Sequence, residues 1–180
     1  SWYHPLWAPP NARELAAGSA AATRAAQLDA ATKRERGFID AINAFYLDAD
    51  RLDQHTRAAS YRDAMKRLAV QLPDDHEVQI FYALALLGTA PPGDTSFANQ
   101  KQAATILNGI LAVEPQHPGI AHYMIHSYDY PQLAADALPA ARAYALIAPD
   151  SAHAVHMPSH IFTRLGLWSD SIVSNLASAE

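Results

Sequence analysis

No stretch of this chain alternates apolar and polar residues in the manner of a strand between turn signals, and helix signals run from end to end. Asn11 to Leu28 offers an asparagine N-cap ahead of alanine-rich helix formers. TKRE, Thr32 to Glu35, reads as a capping box that opens a helix through Leu47. A second helix follows over Arg57 to Leu72. DDHE, Asp74 to Glu77, reads as another capping box and starts a helix through Leu87. Gly88 to Ser96 is dense in turn residues and marks the clearest loop. Further helices are predicted over Asn99–Val113, Pro118–Tyr128, Pro131–Ile147, Ala152–Leu165 and Trp168–Ala179. The expected class is all-α.

Composition agrees with that pattern. Half of the 180 residues are hydrophobic and 17% are charged, which suits an ordered globular chain with a sizeable core. The formal charge is −5 with histidine neutral, and protonating all nine histidines would carry it past neutrality. There is no cysteine, which excludes disulfides, thiolate catalysis and sulfur-ligated metal centres. An acidic chain whose basic residues cluster only at Lys33 to Arg36 is not expected to bind nucleic acid. The longest apolar run, Ile80 to Leu87, is too short to span a bilayer, so no membrane insertion is expected. No secretory signal is visible and the first residue is Ser1, which raises the expectation of a processed piece of a longer chain. The compartment stays open between cytoplasm and periplasm.

A repeat organises the helices. A shift of 34 residues brings Pro115 onto Pro149, His122 onto His156 and His126 onto His160. Tyr128 falls on Phe162 and Ala137 on Ser171, while Pro73 closes an earlier unit lengthened by the Pro-Gly loop. With that period, an aromatic at Tyr128, a small residue at Ala137 and a closing Pro149, the chain resembles a tetratricopeptide-repeat (TPR) protein. Ile125 and Tyr144 depart from the pattern, standing where the family usually has glycine and alanine. The likeness is good from Pro73 to Glu180 and looser before. HPLW, HYMIHSYDYP and HAVHMPSHIF also resemble segments of a bacterial TPR-like group to which no function attaches.

The resemblance implies a right-handed α-solenoid of antiparallel helix pairs in a single domain, residues 1–180. An N-terminal extended segment and helix would occupy 1–31, followed by helix-pair units at 32–73, 74–115 and 116–149 and a final unit at 150–180. It implies a binding scaffold with a concave groove, lined by the first helix of each pair, that holds a protein, peptide or small ligand. His122, His126 and Asp129 would face that groove from one unit, and His153, His156, His160, Thr163 and Arg164 from the next.

Spacing alone puts His122 and His126 on one helical face, and likewise His153, His156 and His160. Imidazole nitrogens are common ligands of zinc and copper, so His122, His126, His156 and His160 are the candidate metal set. His153, Asp129 and His4 are reserve ligands. The competing reading is a polar groove in which the histidines bond one another, tyrosines and water, and meet an anionic peptide when protonated. A metal-dependent hydrolase or oxidase is a third. HYMIH and HMPSH share the histidine spacing of HExxH but lack its glutamate. Pro158 is expected to kink its helix, for curvature or to aim His156 and His160. Trp2, Tyr3 and Trp7 are expected to pack, and His55, His76 and His117 to be solvated.

Overall fold

A computed structural model describes residues 8–179, so His4, Trp2, Tyr3 and Trp7 lie outside the described residues. All regular structure among the described residues is helical. The helices gather into two compact units, Ser1–Asn99 and Gln100–Glu180.

The first unit holds α1 (Ala12–Gln27), α2 (Lys33–Tyr46), α3 (Gln54–Gln71) and α4 (His76–Gly88), each packed on the next. Local chemistry sets most of their starts. Asn11 and Glu14 close a capping box on α1, as do Thr32 and Glu35 on α2. Asp53 caps α3 by accepting from the Thr56 amide at 2.7 Å. The cap of α4 is Asp75, one residue later than DDHE suggested, and its carboxylate accepts from the Val78 amide at 3.1 Å. Asp75 also receives Arg34 Nε at 2.6 Å, which ties the start of α4 to α2.

The second unit contains α5 (Ala98–Leu111, whose first turn meets the division), α6 (Pro118–Tyr128) and a 3₁₀ turn (Ala134–Ala137). It continues with α7 (Leu138–Ile147), α8 (Ala152–His156), α9 (Pro158–Arg164) and α10 (Trp168–Ala177). Two predicted helices are therefore divided. The segment from Pro131 begins as turn and 3₁₀ helix and becomes α-helical only at Leu138. The segment from Ala152 breaks at Met157, because Pro158 has no N–H to return to the Ala154 carbonyl. Met157 keeps right-handed helical dihedrals, φ −53° and ψ −36°, so α9 follows α8 without a loop.

The core of this unit is built largely from alanine. Ala121, Ala134, Ala137, Ala141 and Ala154 are buried beside Ile125, Tyr144, Met157, Ile161 and Phe162. Such small side chains let α6, α7 and α9 approach closely, and α6 meets α9 directly. Gly166, at φ +71°, makes the left-handed turn that ends α9, and the Leu167 amide returns to the Phe162 carbonyl at 2.8 Å.

Candidate functional site

The contact between α6 and α9 decides where the histidines meet. One turn of α6 separates His122 from His126, and their Nε2 atoms lie 3.0 Å apart. His153, at the start of α8, reaches back so that its Nε2 lies 3.1 Å from that of His122. Across the Pro158 break, the Nε2 atoms of His156 and His160 are 3.2 Å apart. The ring centroids of His153 and His156 are 6.5 Å apart, joining the two groups. The structure thus brings all five predicted groove histidines into one cluster.

The outer ring atoms are held by fixed partners. His160 Nδ1 donates to Asp129 Oδ2 at 3.0 Å, and Arg164 Nε donates to the other oxygen of that carboxylate at 2.8 Å. His156 Nδ1 lies 2.7 Å from Asn175 Oδ1. The Asn175 amide nitrogen donates to the Ser171 carbonyl at 2.9 Å, which turns the amide oxygen towards His156. Both Nδ1 atoms therefore carry hydrogen, because their partners only accept. In the neutral imidazoles both Nε2 atoms must then be lone pairs. Two lone pairs facing at 3.2 Å repel, and a cation between them, proton or metal, reverses the sign of that contact.

Electrostatics favour bare nitrogens in the other group. Burial pushes His122 down to about 3, with added repulsion from His126, His153 and His160. Burial likewise lowers His126 to about 4, where His160 and His153 oppose its charge and Asp129 only partly offsets them. His153 is lowered by burial and by His156 and His160. For Asp129 burial acts upwards, yet hydrogen bonds from His160 and Arg164 outweigh it and hold the carboxyl below its usual range. Three of the five histidines are thereby held towards the neutral form, which works against an anionic peptide at their end of the cluster.

Several contributors were not legible in the sequence. Tyr144, the residue that departs from the TPR pattern, stacks on His122 with ring centroids 5.5 Å apart and planes at 14°. Tyr123 stacks on His122 as well, at 5.2 Å. Asn175 and Ser171 enter from α10; the repeat register marks Ser171 only as a small residue matching Ala137, and no spacing points to Asn175. Thr163 shares a hydrogen bond with Ser171 at 3.0 Å and makes no hydrogen bond to the histidines. His55 is exposed as expected, whereas His76 in the first turn of α4 and His117 at the N-cap of α6 are half-buried and correct the solvated reading. The His117 ring packs over Gly119, close enough to meet any side chain placed there.

No family model, curated protein or solved structure matches this chain.

As they stand, no three His, Asp or Glu side chains among the described residues form a group able to hold a metal ion. What the structure supplies is pairs. A tetrahedral zinc with nitrogen at about 2.0–2.1 Å has ligand atoms roughly 3.3–3.4 Å apart. The 3.2 Å between His156 and His160 is close to that edge. No described helix is long and apolar enough to cross a membrane.

Proposed function

We propose that this chain is a TPR-like binding scaffold, a right-handed solenoid of antiparallel helix pairs, whose histidine face holds a divalent transition metal, zinc or copper. The repeat reading draws support from the second unit. There α6 packs on α7 and α9 on α10, and Ala137 and Phe162, both in the 34-residue register, are buried.

The observation that carries the metal is the facing pair of Nε2 lone pairs on His156 and His160, each fixed by an acceptor behind it. An imidazole backed by a carboxylate or amide acceptor is the usual form of a metal-bound histidine. His153 is exposed one turn before His156, and it would have to leave His122, 3.1 Å from its Nε2, and change rotamer to become a third ligand. The remaining position on the ion is open to water or to a side chain of a protein or peptide partner.

Elemental analysis and calorimetry test this reading on protein purified without a nickel column and stripped with chelator. We expect about one equivalent of zinc or copper to bind, and the double variant His156→Ala/His160→Ala to lose it while staying helical. Less than about a tenth of an equivalent, with no heat on adding either metal, would sink the proposal.

A further inference from the structure

We propose that this chain pairs with a second copy of itself through the outer face of α10. The inference is independent of the metal reading and uses none of the histidines. The apolar residues of α10 lie on the wrong side for a surface helix. Ser171 and Ser174 are buried, their hydroxyls bonded to Thr163 and to the Val155 carbonyl. Trp168, Ile172, Val173 and Leu176 are instead 60–67% exposed. A helix that borders water turns its apolar stripe inward and its charges outward. Here the one charged residue of the helix, Asp170, lies off the stripe and faces Arg142 of α7 at 3.7 Å.

The exposed face fits itself. Trp168, Ile172 and Leu176 fall at i, i+4 and i+8 and form one ridge, with Val173 beside it. A two-fold axis through Ile172 sets that ridge antiparallel on its twin, with Trp168 of each copy against Leu176 of the other. The helix dipoles then oppose, and no like charges meet along the ridge. The apolar surface continues past Val173 into a cavity of about 370 Å³ between α7 and α10, floored by Val155, Pro158 and Phe162. Leu146 follows one turn after Arg142, a lining residue of that cavity, and is 81% exposed. The exposed parts of these five side chains come to roughly 600 Å² per copy, or about 1,200 Å² for the pair, where standard interfaces begin. A foreign partner is selected through complementary charge, and the ridge carries none; its own copy, equally uncharged, matches it.

Sedimentation velocity on the whole chain, with chelator present, reads mass against concentration. We expect a 19.5 kDa species in dilute solution and twice that mass by about 100 μM. Ile172→Asp puts two carboxylates at the axis and should raise the dissociation constant more than about 100-fold. Val70→Asp, at a position 74% exposed on α3, should leave it unchanged. The chain has no cysteine, so Ile172→Cys reports the geometry directly. It should cross-link to its twin on mild oxidation, whereas Val70→Cys should stay monomeric. A wild type that remains at 19.5 kDa up to about 100 μM overturns the proposal. So does a dimer that survives Ile172→Asp, or one in which Ile172→Cys forms no cross-link.

Discussion

His122 and His126 carry the clearest consequence at the scale of single residues. Their folded pKa values, about 3 and about 4, lie below the unfolded value, so the folded state binds fewer protons than the unfolded one in mildly acidic solution. Stability from these two groups is complete above the unfolded histidine pKa and is lost as pH falls through the folded values. Asp129 acts in the same direction at lower pH, because its carboxylate is held down by His160 and Arg164 against the effect of burial. The urea midpoint of metal-free protein should therefore fall between about pH 7 and about pH 5, more steeply than in a His122→Gln/His126→Gln variant. Equal slopes would mean that these imidazoles become charged in the fold at no cost.

At the scale of elements, close approach and one missing hydrogen bond set the terms. A methyl group on Gly37 of α2 would lie 2.2 Å from Leu68 Cδ1, and Leu68 is 3% exposed in α3. Gly37→Ala should destabilise the protein by about 1–3 kcal/mol, a clash larger than alanine's advantage in helix propensity. Denaturant unfolding measures it, and unchanged stability would show that Leu68 has room to turn. Pro158→Ala restores an N–H that can bond to the Ala154 carbonyl, so helicity by circular dichroism should rise and α8 should run on into α9. If the break aims His156 at His160, zinc binding weakens in that variant; unchanged affinity in a folded variant assigns the proline to curvature alone. These elements also separate what was legible from what was not. The caps at Asn11 and Thr32 and the histidine spacings are local chemistry, readable within one turn. The division at Met157 was half-legible, since the proline was visible but not whether the helix would bend or split. Asn175 and Tyr144 were hidden because their meeting with the histidines depends on how α10 and α7 dock, which no local rule encodes. Arg164 and Asp129 were placed on the groove face, but their mutual ion pair emerged only from packing.

For the whole molecule, the division into two units makes a prediction about where a ligand is felt. A metal bound in the second unit suppresses only those openings that break its own site. Hydrogen exchange should therefore slow in α6, α8, α9 and α10 on adding zinc, while α1 to α4 exchange as before. Uniform slowing would mean that the chain opens as one cooperative body. The location of the histidine pair gives that local effect a mechanical side. His156 ends α8 and His160 lies in α9, on opposite sides of the joint where Pro158 leaves the backbone without its usual tie. An ion shared by the two imidazoles, if one binds as proposed, would tie α8 to α9 across the missing backbone bond, as a rivet joins two plates.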